Sequence, residues 1–265
     1  MNTDSPPPAK TYVPVCAIGA SAGGVEALQT LFRQLPEDLG LAYVVILHLA
    51  PEHPSAMAEI LSACTAMPVH QVNDTPTLLP DRVYVIPPDR ALVITGDSVT
   101  AREFSQPRGR RAPIDMFFRS VAQARGDGMA VALTGAGADG SNGLRAVQES
   151  GGVIFVQDPA EAEFPSMPRN AIATGVANVI APLDRLAERI AEGARSHQAM
   201  RTLDQEGVAH DLRRIIGLLR ARTGHDFSTY KRATVLRRVL RRMQVCRVAS
   251  MGSYATLIRT NPEEA

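Results

Sequence analysis

VPVCAIGASAGGVEALQTLFRQLPEDLGLAYVVILHL, residues 13–49, is the stretch whose reading decides the fold. VPVCAIG (13–19) is an apolar run closing on glycine, as expected of a strand buried on both faces. VEALQTLFRQL (25–35) carries its apolar residues at helical spacing, and LAYVVILHL (41–49) is a second buried strand. Strand, glycine-rich turn, helix and strand in this order open a doubly wound sheet. The alternation continues downstream. Helices are expected over 57–64, 114–125, 144–151, 166–175 and 183–194, and strands over 67–72, 128–135, 152–157 and 176–182. Residues 82–103 break the rhythm, because RVYVIPP, RALVITG and DSVTARE read as short turn-separated strands of a β-meander. The expected class is α/β: a doubly wound, mostly parallel sheet with helices on both faces, followed by a small all-α domain.

That second domain begins where the strands stop. Residues 209–224, 231–245 and 251–260 have helical periodicity. The expected organisation is a disordered leader at 1–11, the α/β domain at 12–196, a linker at 197–207 and a basic helical domain at 208–265. The chain as a whole has a net charge of only +1. Residues 208–248 nevertheless hold 11 Lys/Arg against 2 Asp/Glu, which points to an acidic partner for this segment. Arg237, Arg238, Arg241 and Arg242 fall at i, i+1, i+4 and i+5, one stripe along a helix. Leu236, Val239, Leu240 and Met243 are expected to face the opposite way, into a small core. Few aromatics interleave with the arginines, so nucleic acid is not the expected partner.

Cys16, Cys64 and Cys246 lie far apart, with no C-x-x-C pair, which argues against zinc and against a disulfide framework. No apolar run reaches membrane-spanning length, and the polar start MNTDSPPPAK is no signal peptide. The protein is expected to be cytoplasmic and not membrane-inserted.

GASAG (19–23) fits the G-x-S-x-G pattern of a nucleophile elbow at a strand–turn–helix junction, which would expose the Ser21 hydroxyl above the sheet. Two other readings stay open. A dinucleotide-type phosphate loop wants a third glycine and an acid at the end of strand two, where this chain has Ser21 in a glycine slot and His48 at the strand end. A serine at a helix start is also commonly only its N-cap. His48 ends the strand neighbouring that of Ser21, and active sites of parallel sheets lie outside the carboxyl ends of the strands. His53, in the loop PEHP, ranks second. Asp139, in LTGAGADGSNG (133–143), follows another strand end and could accept the Nδ1–H of His48. An Asx-turn or a helix N-cap is the alternative role for Asp139. The order Ser, His, Asp matches none of the familiar hydrolase orders.

AIGASAGG, VVILHLAPEH, VYVIPPDR, RRAPIDMFFRSVA, AVALTGAGADGSNG and SMPRNAIATG, in this order, resemble the catalytic domain of the chemotaxis protein-glutamate methylesterase family (CheB type). The resemblance covers about residues 12–195. It implies hydrolysis of glutamate methyl esters on methyl-accepting chemotaxis receptors, with deamidation of receptor glutamines in some members, and it needs no metal or cofactor. It places the family's serine, histidine and aspartate on Ser21, His48 and Asp139, and its oxyanion N–H groups near Ala22 and Ala136. The family often has Thr at the first of these two positions and Met at the second. Typical members begin with a phosphorylatable receiver domain, whereas only about a dozen residues precede the first strand here. HDFSTYKRATVLRRVLRRM (225–243) is similar to the N-terminal helical domain of the receptor glutamate methyltransferase (CheR type), over about 205–265, without the S-adenosylmethionine-binding domain. The expectation is the front part of a methylesterase–methyltransferase fusion. A non-catalytic receptor-binding adaptor and an esterase of another substrate are the alternatives.

Overall fold

The computed structural model describes residues 13–48, 55–107, 109–126, 128–203, 209–227, 230, 232–246, 248, 250–261 and 264. The leader, His53 and residues 204–207 of the expected linker lie outside them. The chain divides into two compact units between Ile190 and Ala191.

The first unit is built on nine strands among the described residues. These are β1 (Val15–Ala20), β2 (Ala42–Leu47), β3 (Val69–Gln71), β4 (Arg82–Val85), β5 (Ala91–Thr95), β6 (Ser98–Arg102), β7 (Met129–Ala132), β8 (Val153–Gln157) and β9 (Val179–Ala181). Seven of them form one parallel sheet in the order β3-β4-β2-β1-β7-β8-β9. All six residues of β1 and of β2 are buried, because helices cover both faces. On one face α1 (Gly24–Gln34) sets Phe32 edge-on against Tyr43, with ring centroids 5.8 Å apart. On the other, Ile114, Phe117 and Phe118 of α3 (Pro113–Ala124) join Val15, Ala17, Val44 and Ile46 in one core, together with Leu144 and Val147 of α4 (Ser141–Ser150). α2 (Met57–Ser62) and α5 (Ser166–Ala173) complete the crossovers. Cys16 is fully buried in β1, and desolvation pushes its thiol up to about 12, so it is inert near neutrality.

Two sequence expectations are corrected. RVYV is not part of a meander. It is β4, paired parallel to β2 and β3, with Val83, Tyr84 and Val85 all buried. Among the described strands only β5 and β6 pair with each other antiparallel. They form a hairpin whose turn, Gly96-Asp97, places Gly96 at φ 57°. One face of this hairpin packs on α3, and Ser120 Oγ accepts the Ile94 N–H at 3.1 Å. The helix read at 183–194 also runs on as α6 (Leu183–Leu203), through residues 197–203 of the expected linker; LAERIAEGARSHQAMRTL contains no proline to stop it.

The second unit holds α7 (Ala209–Thr223), α8 (Arg232–Val245) and α9 (Met251–Thr260). Leu212 and Ile215 of α7, Val239 and Met243 of α8, and Tyr254 and Ile258 of α9 form its core. Leu236 and Leu240 are partly buried against it, on the side expected for them. Glu264 clamps α8 to α9. Its carboxylate accepts both Arg242 Nε at 2.7 Å and Nη2 at 2.9 Å, the Tyr254 hydroxyl at 2.9 Å and Cys246 Sγ at 3.3 Å. The Arg242 fork above all holds the Glu264 carboxyl down at about 2, well below the usual carboxylate range. A carboxyl depressed by folding stabilises above its unfolded range, and this contribution is lost as pH falls toward the folded value. The helical unit is therefore expected to loosen between about pH 4.5 and about 2. Acid titration of its tertiary signal should show this step in the wild type and lose it in Glu264→Gln; identical acid profiles would remove the clamp.

Candidate active site

β1 is the switch point of the sheet, with β2 on one side and β7 on the other. In a doubly wound sheet this is where the crevice opens beyond the carboxyl ends of the strands. The register pairs Ala20 with Leu47 and Gly19 with Ala132. Ser21 and His48, each one residue past its strand, therefore lie on one rim, together with the loop that leaves β7 carrying Asp139.

The three side chains form a hydrogen-bonded line. Ser21 Oγ lies 3.0 Å from His48 Nδ1, and His48 Nε2 lies 3.0 Å from Asp139 Oδ2. The ring nitrogens are thus the reverse of the expectation, which gave Nδ1 to the aspartate. His48 sits directly at the strand end, so the near nitrogen meets the adjacent serine while Nε2 reaches across to Asp139. The imidazole is 37% exposed and the Asp139 side chain 10%. Both Asp139 oxygens are pinned by the first turn of α3: Oδ2 accepts the Ile114 N–H at 3.1 Å and Oδ1 the Asp115 N–H at 2.9 Å. The positive end of that helix favours the carboxylate charge.

The serine turn is not the strained elbow of α/β-hydrolases. Ser21 has no positive φ. The left-handed residue is Gly23, at φ 70°, which caps α1. Thr134, two residues past β7, holds this turn. Its carbonyl accepts the Ser21 N–H at 3.0 Å, and its hydroxyl donates to Ala22 O at 3.2 Å and accepts the Phe164 N–H at 2.9 Å. Gly135 follows, where a Cβ would stand 2.8 Å from Ser21 Cβ and 2.9 Å from Met167 Sδ. Only glycine lets the two loops approach this closely. Thr134 and Gly135 stand inside the quoted LTGAGAD motif, yet local spacing gives no sign of their partners on other segments.

The N–H groups around the serine divide in two. Those of Ser21 and Gly135 are taken, by Thr134 O and Phe164 O. Those of Ala22 and Ala136 have no protein acceptor among the described residues. A cleft of ≈ 270 Å³ opens beside His48, walled by Ile86, Phe104, Arg90 and Arg111. Its two arginines are paired, Arg90 with Glu103 at 3.5 Å and Arg111 with Asp89, and Arg111 also lies 4.5 Å over the Phe104 ring. A second hollow of ≈ 330 Å³ is lined by Ala136, Phe164, Arg169 and Asn170. Of the arginine stripe, Arg238 and Arg242 are exposed on α8, and the side chains of Arg237 and Arg241 lie outside the described residues. Among the described residues no helix is long and apolar enough to cross a membrane.

Residues 16–190 match the family model described as CheB methylesterase, and residues 210–265 match that of the CheR methyltransferase all-alpha domain. A protein-glutamate methylesterase/protein-glutamine glutaminase of Rhizobium meliloti is 31% identical over 194 residues, covering 72% of this chain and 55% of its own length. Another, from Xanthomonas oryzae pv. oryzae, is 38% identical over 179 residues, covering 66% and 50%. An uncharacterized 104.1 kDa protein of Rhodobacter capsulatus is 35% identical over 230 residues, which are 76% of this chain and 24% of that protein. The chain spans about half or less of the length of these curated relatives. The crystal structure of the Thermotoga maritima CheB methylesterase catalytic domain superposes with a TM-score of 0.63 at 26% identity, covering 69% of this chain and 99% of that one.

Proposed function

The chain belongs to the CheB methylesterase family, and on that premise we propose that it is a cytoplasmic serine hydrolase removing methyl groups from glutamate γ-methyl esters of methyl-accepting chemotaxis receptors. The observation that carries this reading is the unbroken line from Ser21 Oγ through His48 to Asp139, at 3.0 Å per step. Ser21 Oγ attacks the ester carbonyl as His48 Nδ1 takes its proton, while Nε2–H remains on Asp139 and the carboxylate stabilises the imidazolium. The free N–H groups of Ala22 and Ala136 receive the oxyanion. His48 then returns the proton to the departing methoxide, and methanol leaves. Water hydrolyses the acyl-serine by the same relay, regenerating Ser21 and leaving glutamate. Attack on a glutamine side chain would release ammonia by the same steps, in keeping with the double names of the relatives. The test is to measure methanol from methylated receptor, and ammonia from receptor glutamines, with the purified chain. Neither product from the wild type would overturn the reading.

The basic helical unit is the proposed docking element for the acidic methylation helices of the receptor. Support comes from the local charge and from α8, where Val239 and Met243 are buried while Arg238 and Arg242 face outward. Attraction between exposed charges is screened beyond about 10 Å at 0.1 M salt. Affinity of the Ser21→Ala chain for a methylation-region peptide is therefore expected to fall roughly tenfold or more between 0.05 and 0.5 M salt, as several exposed charge contacts are screened. Replacing Arg237, Arg238 and Arg241 by glutamine, which leaves the Arg242–Glu264 clamp intact, should weaken low-salt binding similarly. Titration calorimetry giving equal affinities in both salts would leave the arginines as a solvated face.

A further inference from the structure

Neither α3 nor α4 begins with a capping side chain of its own. Their cap positions are Ala112 and Gly140, and neither makes a side-chain cap bond. The first N–H groups of a helix nonetheless need acceptors. The two helices exchange them. Asp139, just before α4, takes the Ile114 and Asp115 N–H groups of α3. Asp115, in the first turn of α3, takes the Gly143 N–H of α4 at 2.7 Å on Oδ1 and Asn142 Nδ2 at 3.3 Å on Oδ2.

From this closed circuit we propose that Asp115 is a positioning residue of the triad, setting Asp139 and through it His48. The inference rests on the hydrolase reading above. Asp115 binds Asp139 with its backbone and, with its side chain, the helix turn that follows Asp139. One residue therefore holds both Asp139 and the start of the helix that follows it. Glycines permit the approach. A Cβ at Gly143 would meet Asp115 O at 2.9 Å and Phe118 Cβ at 2.6 Å, and one at Gly140, φ 95°, would meet Ile114 Cγ2 at 2.8 Å. Without the Asp115 carboxylate the Gly143 N–H loses its acceptor, the start of α4 is released, and Asp139 drifts off the line to His48 Nε2. Misplacement by about 1 Å can cost about 100-fold in rate.

The experiment uses the whole chain and two readouts, the rate at which a fluorophosphonate labels Ser21 and the kcat and KM of methanol release, each at a temperature where thermal unfolding shows the variant folded. Asp115→Ala is expected to lower the labelling rate and kcat by at least about tenfold, with KM within about twofold. Asp115→Asn, an equally good cap, should recover both to within about threefold. Asp115→Glu keeps the charge but carries the acceptor one methylene too far. It should label several-fold more slowly, and it reads the geometry should the alanine variant fail to fold. A labelled wild type whose folded Asp115→Ala or Asp115→Glu variant labels equally fast overturns the positioning role alone, as does an asparagine variant as slow as alanine. A wild type that does not label at Ser21 overturns the hydrolase reading and this inference with it.

Discussion

Ser21→Ala is expected to lower methyl-ester hydrolysis by about 10⁴-fold or more while leaving the protein folded. The substitution removes one oxygen. That oxygen hydrogen-bonds only to His48 among the described residues, at the half-buried rim of the sheet. The backbone bonds that shape the turn, Ser21 N–H to Thr134 O and Ser21 O to Gly24 N–H, do not involve it. Stability should therefore change by no more than about 0.5 kcal/mol. Thermal unfolding alongside methanol release checks both halves. A variant that loses activity and several degrees of Tm together would mean that Ser21 supports the turn rather than the chemistry.

The second large effect concerns the other two members of the line. His48→Gln and Asp139→Asn are each expected to lose about 10³-fold or more, and adding either to Ser21→Ala should cost little further, because the three act as one relay. The two variants should differ in stability. His48 is partly exposed and among the described residues its ring is bonded only to Ser21 and Asp139, so its loss is expected to cost the fold little. Asp139 also accepts two helix N–H groups, one on each oxygen, so an asparagine sets its NH2 against an α3 N–H in either orientation. Asp139→Asn should therefore cost about 1 kcal/mol as well, the worth of a helix cap. Multiplicative losses in the double variants, or equal stability of the two single variants, would contradict this assignment.

What was legible in the sequence follows from what is local. The apolar run before GASAG marks a strand because both faces of β1 are covered, and its observed span, Val15–Ala20, differs by a residue or two from that read. Ser21 and His48 are legible as candidates because each stands one residue past a strand end, and Asp139 because it lies in the glycine-rich loop that follows another strand. RVYV was misplaced because its short, turn-bounded look resembles a meander strand. Only pairing with β2 and β3 reveals that it is buried on both sides. The remaining differences share one cause, partners distant in sequence. The orientation of His48 depends on Asp139, and Asp115 gives no sign in RRAPIDMFF of serving Gly143. Arg242 reads as a free member of a basic stripe, but Glu264 holds it. The turn motif announced a tight bend without saying that Gly23, not the serine, takes the left-handed conformation.

The proposed hydrolysis requires that Ser21 becomes acylated by a glutamate side chain. Rapid-quench mass spectrometry of a single turnover, with a peptide bearing a glutamate γ-ester, tests it most directly. A transient adduct of the peptide acyl group is expected that maps to Ser21, forms as the alcohol is released, and is absent from Ser21→Ala. Alcohol release at the wild-type rate by Ser21→Ala, or an adduct on any other residue, would contradict it.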